Sequence, residues 1–223
     1  MTESVCGLLA DLHAERVRTM APDALAINVR QRAHLVETAD RDGFVEPGDR
    51  LAPFTLDVAG GGTVALEEVL RHGPAVLLFF RFAGCPACNL ALPYYQRTLY
   101  PGLLELGATL IAISPQVPER LVEIRDRHGL EFTIASDRNN ALARTFGIAF
   151  EADVDSRTYM QDRGVVLGDV TGTGTWELPM PALIVVAQDR TVRFADISPD
   201  WLVRTEAAPV LEAVRAIALQ EAA

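Results

Sequence analysis

The feature that most constrains this 223-residue chain is a buried apolar run that ends in a Cys-x-x-Cys pair. Ala75 to Phe80 has the length and composition of a strand covered on both faces, and Gly84-Cys85-Pro86-Ala87-Cys88 follows it closely. Pro86 has no amide hydrogen and its fixed φ suits the first position of a helix, so we expect a strand-to-helix turn with Cys85 at the N-cap. A redox-active dithiol is normally presented in this way, and the sequence therefore favours thiol chemistry.

Cys85 is the predicted nucleophile of the pair. The free N–H groups and the positive end of the dipole at a helix start favour the thiolate over the thiol. Cys88 lies roughly one helical turn further on, so the two sulfur atoms can meet without a large backbone movement. We interpret Cys88 as the resolving thiol, and this chemistry requires neither a cofactor nor a metal.

Two structural interpretations of the pair stay open. Half of a zinc site would need two further ligands, usually a second close pair. The other candidate ligands form no such pair; they are Cys6, His13, His34, His72 and His128. Two buried structural cysteines are the second alternative, which the polar Asn89 and the solvent-facing position expected of this turn disfavour. Cys6 is interpreted as a small apolar residue on an N-terminal helix.

Charge and composition exclude several classes of partner. The chain is 49% hydrophobic, which is enough for a substantial core. Its formal net charge of −10 argues against nucleic acid and anionic membranes as partners, because both are polyanions. No Arg or Lys precedes the end of the first apolar stretch at Asp11, which argues against a secretory signal peptide. No run of about 18 apolar residues occurs, which argues against a transmembrane helix. We therefore predict a cytoplasmic protein, and in that reducing compartment a Cys-x-x-Cys pair is more often catalytic than structural.

The chain divides near Pro47 into a helical extension, residues 1–46, and a main domain, residues 47–223. Apolar residues between Val5 and Thr38 recur at helical spacing, with Pro22 between two amphipathic helices. The main domain alternates strands with helical patterns, which predicts parallel crossovers and an α/β sheet. Gly60-Gly61-Gly62 is interpreted as a hairpin turn rather than a phosphate loop, because no Gly-Lys-Ser/Thr follows it.

An insertion is predicted at about residues 149–177. Its acidic residues suggest a calcium loop, but their spacing does not follow the helix-loop-helix pattern, so a solvated loop is favoured. The loop is a candidate for a lid or a subunit contact, which leaves a homodimer open. Trp176 near its end is interpreted as a packing residue.

The order of elements resembles the thioredoxin fold at three points. These are Cys85-Pro86-Ala87-Cys88, then Pro93 at the offset of the helix-kinking proline, and Pro181 where thioredoxins have a cis-proline facing the dithiol. The resemblance implies a central mixed sheet flanked by helices, and it brings Met180 and Pro181 into the predicted site.

Four further segments resemble peroxiredoxins of the alkyl hydroperoxide reductase and thiol-specific antioxidant family. They are the stretches from Gly48 to Leu56, from Gly107 to Gln116, from Phe132 to Asp137 and from Ala143 to Ile148. The similarity extends over about Gly48 to Ala195. It implies a thiol peroxidase regenerated by a thioredoxin-type or small-thiol donor.

The chain departs from both families near the cysteines. Peroxiredoxins usually carry a Thr or Ser three residues before the attacking Cys, a Pro four residues before that, and an Arg on a later strand. Those places hold Phe82, Leu78 and, by our alignment, Pro181, none of which donates a side-chain hydrogen bond. Arg81 is the nearest cation, although a surface or ion-pair role is equally consistent with strand alternation.

The thioredoxin pattern is also incomplete. Its buried acid and its Trp correspond to Phe79 and Gly84, which argues against efficient reduction of protein disulfides. Three functions remain open: a hydroperoxide reductase, a thiol-disulfide oxidoreductase, and a redox-gated binding module. The predicted catalytic residues are Cys85 and Cys88, and the residues predicted to shape the site are Arg81, Phe82, Gly84, Pro86, Met180 and Pro181.

Overall fold

A computed structural model of the protein describes residues 3–221. The strands are Thr55–Val58 (β1), Thr63–Ala65 (β2), Ala75–Phe79 (β3), Thr109–Ser114 (β4), Thr133–Ser136 (β5), Ala149–Glu151 (β6), Glu177–Pro179 (β7), Ala182–Val186 (β8) and Val192–Ile197 (β9). The helices are Val5–Thr19 (α1), Pro22–Thr38 (α2), Leu66–Leu70 (α3), Pro86–Thr98 (α4), Tyr100–Glu105 (α5), Pro118–His128 (α6), Ala141–Thr145 (α7), Val154–Gln161 (α8), Leu167–Thr171 (α9) and Ala207–Glu221 (α10).

The main sheet is mixed and contains seven strands in the order β2-β1-β5-β4-β3-β8-β9. β3 pairs in parallel with β4 and antiparallel with β8, and every residue of β3 is buried. An unbroken apolar run suits this place, because a central strand covered on both faces has no solvent side for polar residues. The predicted α/β thioredoxin-like fold is confirmed, including the glycine hairpin between β1 and β2 and the final hairpin of β8 and β9.

The central strand leads directly to the cysteine helix. Cys85 is the N-cap of α4, Pro86 occupies its first turn, and Pro93 lies inside the helix, as the sequence predicted. The helix buries Tyr94 and Tyr95, whose rings meet edge to face with centroids 5.2 Å apart. The dithiol is therefore held at the junction of two firmly packed elements.

The two N-terminal helices pack onto the cysteine helix and the insertion. α1 contacts α4, and α2 contacts α8. The start of α1 is held by the carboxylate of Glu206, which accepts hydrogen bonds from the Ser4 hydroxyl at 2.6 Å, from the backbone N–H groups of Val5 and Cys6 at 3.2 and 3.1 Å, and from the Tyr94 hydroxyl at 2.6 Å. One carboxylate thus joins the extension, the cysteine helix and the region just before α10.

The insertion is not the solvated loop predicted from its acids and glycines. β6 and β7 pair antiparallel at its ends, and α8 and α9 lie between them. Asp153 caps α8 by accepting a hydrogen bond from the Ser156 N–H at 2.8 Å, so an acid that suggested a loop instead starts a helix. Trp176 is half-buried and packs against the core, which confirms its interpretation as a packing residue.

Within residues 3–221, none of the helices combines the length and the apolar character needed to cross a membrane.

Candidate active site

The turn between β3 and α4 is fixed by side chains from neighbouring elements. The backbone N–H of Ala83 donates to the Gln116 side-chain oxygen at 2.7 Å. The Asn89 amide donates to the carbonyl oxygens of Ala83 and Cys85 at 2.7 and 2.9 Å, and the Ser114 hydroxyl donates to the carbonyl of Arg81 at 3.0 Å. These bonds satisfy backbone groups that the turn takes out of the sheet, so the cysteines are presented on a rigid support.

The two cysteines of the Cys-x-x-Cys pair are buried free thiols. Cys85 is 2% exposed and Cys88 is fully buried, whereas Gly84 and Pro86 on either side of Cys85 are exposed. The solvent-facing position expected of the strand-to-helix turn is therefore wrong for the cysteine itself. Burial does not make the pair inert, because Cys85 lines a cavity described below.

The two thiols have opposite acid–base character. The hydrogen bond from the Cys88 thiol holds the pKa of Cys85 well below its ordinary range, and the positive charges of Arg81 and Arg204 act in the same direction against the effect of burial. Burial and the same hydrogen bond raise the pKa of Cys88. A thiolate at Cys85 and a thiol at Cys88 are thus the favoured protonation states, as the helix-start argument predicted for Cys85.

Arg81 is 7% exposed, so the surface role left open for it is wrong. Its guanidinium carbon lies 5.0 Å from the ring centroid of Trp201 and 5.8 Å from that of Phe82. Its Nε is buried and has no hydrogen-bond partner among the described residues. A buried cation with an unused donor therefore lines the same cavity as Cys85.

Arg204 is a site residue that sequence reasoning missed. It follows β9, is 5% exposed, and brings its Nη2 atom to 3.8 Å from the Cys88 sulfur. Its Nε donates to the carbonyl of Trp201 at 3.2 Å, which fixes its orientation. An arginine after the apolar stretch Trp201-Leu202-Val203 was the available signal, but nothing in the local pattern indicated that it reaches α4.

The cavity beside Cys85 has a volume of about 380 Å³ and is formed largely by segments outside the dithiol turn. α1, α2 and the α8 region supply most of its wall. The residues from these segments, none of them predicted as site residues, are Arg16, Met20, Ile27, Asn28, Gln31, Ser156, Tyr159, Met160, Arg163 and Val165. Trp201 completes the lining together with Arg81, Phe82, Gly84 and Pro86.

The structure places Met180 and Pro181 outside the Cys85 cavity. Both are buried, and neither lines the Cys85 cavity; Pro181 lies in a small space together with Arg204 and Tyr95. No peptide bond is cis between residues 3 and 221, so the cis-proline implied by the thioredoxin resemblance is absent from position 181. The wall of the cavity beside Cys85 comes from the N-terminal helices and the insertion instead.

Cys6 lies apart from the pair as an exposed residue of α1. Its thiol donates to the carbonyl oxygen of Arg204 at 3.3 Å, and burial raises its pKa. A raised pKa leaves this sulfur mostly protonated, which does not suit a nucleophile.

Known proteins similar to this chain share both its fold and its family. A protein of Mycobacterium tuberculosis named "Putative peroxiredoxin" is 29% identical over 142 residues, covering 64% of this chain and 83% of the relative. Peroxiredoxin Bcp of Escherichia coli is 28% identical over 121 residues, covering 52% of this chain and 72% of its own length. The crystal structure of the peroxidoxin BcpB from Mycobacterium tuberculosis superposes with a TM-score of 0.60 at 22% identity, covering 78% of this chain and 98% of that one. The model of the AhpC/TSA family matches residues 47–195, more than half of the chain. The chain therefore belongs to the AhpC/TSA family, as a thiol peroxidase of the peroxiredoxin type.

Proposed function

We propose that Cys85 attacks the hydroperoxide and that Cys88 resolves the oxidised intermediate. The observation that carries this assignment is the difference between the two sulfurs. Cys85 lines the cavity with its pKa lowered, whereas Cys88 is fully buried with its pKa raised. Only a thiolate that substrate can reach is suited to the first step.

In the first step the Cys85 thiolate attacks the outer oxygen of the peroxide and the O–O bond breaks. Cys85 becomes a sulfenic acid, and the other oxygen leaves as an alkoxide or hydroxide that takes up a proton. The Cys88 sulfur then attacks the sulfenic sulfur, a disulfide forms, and water is released. The effect of the Cys88 thiol on the pKa of Cys85 supports this second step, because it places the resolving sulfur close to the sulfur that it attacks.

Arg81 is proposed to donate to the peroxide oxygens. The usual Thr or Ser position holds Phe82, so hydrogen bonding to the leaving oxygen must come from another group. Arg81 is buried, lines the cavity and has a donor without a partner among the described residues. Arg204 lies beside Cys88 and is proposed to stabilise that sulfur when it carries negative charge.

Regeneration requires an external thiol, and we propose a thioredoxin-type or small-thiol donor. A supply of reductant is characteristic of the cytoplasm, so a cytoplasmic location belongs to the same proposal. A homodimer stays a prediction.

The test is the rate at which reduced protein loses the Cys85 thiol to hydrogen peroxide, with Cys85→Ser as the blank and Cys88→Ser to trap the sulfenic acid. We expect oxidation orders of magnitude faster than that of an ordinary exposed thiolate, followed by a Cys85–Cys88 disulfide in the parent protein. A rate like that of free cysteine thiolate would refute the proposed role of Cys85.

Thiol-disulfide exchange is the second candidate, favoured by the Cys-x-x-Cys pair at a helix start. The burial of both cysteines weighs against it when the partner is a folded protein. An ordinary peroxide rate combined with fast reduction of a small disulfide would favour this alternative.

A further inference from the structure

Both sulfurs of the dithiol are shielded from large partners. Cys85 is 2% exposed and Cys88 is fully buried, and the cavity that Cys85 lines is walled by α1, α2 and α8. A protein reductant would have to bring its own cysteine onto Cys85 past these helices. A small molecule needs only the cavity, whose volume of about 380 Å³ lies within the range of roughly 300–1,000 Å³ typical of small-molecule sites.

The lining of the cavity points to an anionic ligand. Arg16, Arg81 and Arg163 line it, and no acidic side chain of the described chain does, although the protein as a whole carries a net charge of −10. Arg16 Nη1 and Gln31 Nε2 are buried and have no hydrogen-bond partner between residues 3 and 221, and Gln31 as a whole is 6% exposed. Unpaired buried donors are costly, and a carboxylate is the group that best satisfies a guanidinium and an amide together.

We propose that this cavity binds a low-molecular-weight thiol that carries a carboxylate, and that this thiol reduces the Cys85–Cys88 disulfide. The inference rests on the proposed peroxidase cycle and names its reductant. Arg16 and Gln31 hold the carboxylate after small side-chain movements. The apolar part of the ligand packs against Met20 and Met160, and its sulfur faces Cys85.

The reduction takes two thiols. The first thiolate attacks the Cys85 sulfur, the Cys85–Cys88 bond breaks, and Cys88 leaves as a thiolate beside the Arg204 guanidinium before it takes up a proton. A second thiolate attacks the ligand sulfur of this mixed disulfide. The Cys85 thiolate is released, and the two thiols leave as their own disulfide after giving up two electrons.

The test measures reduction of the full-length disulfide form, prepared with diamide so that it does not depend on peroxide. The probes are mercaptopropionate and its methyl ester, compared at equal thiolate concentration, with glutathione and a thioredoxin as further reductants. We expect the acid to reduce the protein roughly tenfold faster than the ester, the size of one charge-assisted hydrogen bond.

The variants Arg16→Gln and Gln31→Met each remove one proposed carboxylate donor, and either is expected to bring the acid and ester rates close together. Arg18→Gln is the matched control, because Arg18 lies on the same helix, is exposed and is outside the cavity lining. It is expected to keep the preference for the acid.

Three results would overturn the inference. The first is equal rates for acid and ester in the parent protein, and the second is faster reduction by thioredoxin than by the small thiols at equal concentration. The third is a carboxylate preference found only in the oxidation step, with carboxylated against neutral hydroperoxides, which would assign the cavity to the peroxide. An ordinary rate of peroxide oxidation would refute the proposed function alone, since the reduction step is measured separately.

Discussion

Glu206 is expected to hold the N-terminal helices over the active site, and Glu206→Gln tests this. The carboxylate accepts hydrogen bonds from Ser4, Val5, Cys6 and Tyr94. Burial raises its pKa, but these hydrogen bonds together outweigh burial and lower the pKa from its ordinary value of 4.5 to about 2. Glutamine keeps the size of the side chain and loses the charge.

The loss of stability expected for Glu206→Gln follows from that pKa. A pKa shift of this size corresponds to roughly 3 kcal/mol in the free energy of unfolding, and solvent screening of a partly exposed carboxylate reduces this contribution to about 1–2 kcal/mol at neutral pH. The direction of the pKa shift determines how the contribution varies with pH. A lowered folded-state pKa stabilises the protein above the ordinary pKa of 4.5, and this contribution is lost as the pH falls towards about 2.

Urea unfolding of the parent and of Glu206→Gln, repeated at decreasing pH, measures this contribution. We expect the difference in the free energy of unfolding to shrink as the pH drops through the glutamate range. Glu212→Gln is the control, because Glu212 is exposed on α10. A difference that stays constant with pH, or no difference at all, would refute the charge-based account of Glu206.

Three further predictions concern the dithiol and its support. Arg81→Met is expected to raise the pKa of Cys85 and to slow peroxide oxidation roughly a hundredfold, as loss of one transition-state donor does. A rate measured well above the pKa of Cys85, where the thiol is fully ionised, reports only the loss of the donor. An unchanged rate there would contradict the proposed donor role. Cys88→Ala removes the hydrogen bond that most lowers the pKa of Cys85, so ultraviolet titration of the thiolate should show a raised pKa, and mass spectrometry should show oxidation of Cys85 beyond the sulfenic acid. Asn89→Leu removes the side-chain donor to the Ala83 carbonyl, whereas the Cys85 carbonyl keeps the Asn89 backbone N–H as its donor. The substitution is expected to cost about 1–3 kcal/mol in thermal or urea unfolding. Stability equal to that of the parent would mean that the turn does not need this support.

The elements fixed by local sequence were predictable. The apolar run of β3, Pro86 at the start of α4 and the three glycines between β1 and β2 each restrict the backbone within a few residues, so their signals do not depend on distant contacts. The direction of the Cys85 pKa was also predicted from the helix start, but its main causes, the Cys88 thiol and the charges of Arg81 and Arg204, are contacts that this argument does not contain.

The walls of the cavity were not predictable, because they join segments far apart in the chain. Arg16 and Gln31 belong to helices read only as amphipathic, and Arg204 reaches Cys88 across 116 positions. The insertion was misread because acids and glycines are common to loops and to helix ends alike. Asp153, three residues before Ser156, is a helix-start signal, but the comparison with a calcium loop considers only the spacing of the acids.

Trp201 connects the cysteine helix with the N-terminal extension. Its indole N–H donates to the Gln31 side-chain oxygen at 3.2 Å, and its carbonyl accepts from Arg204, which in turn contacts the Cys88 sulfur. The guanidinium of Arg81 lies 5.0 Å from its ring. The indole is thus linked through Arg204 to the Cys88 sulfur and lies against the charge of Arg81.

Formation of the Cys85–Cys88 disulfide removes the Cys85 thiolate, whose pKa the charges of Arg81 and Arg204 lower, so the electric field at the Trp201 ring is expected to change with it. The chain contains one other tryptophan, Trp176, which phenylalanine can replace to leave a single emitter. We therefore expect the fluorescence of Trp201 to follow oxidation and reduction of the dithiol in real time without any added dye.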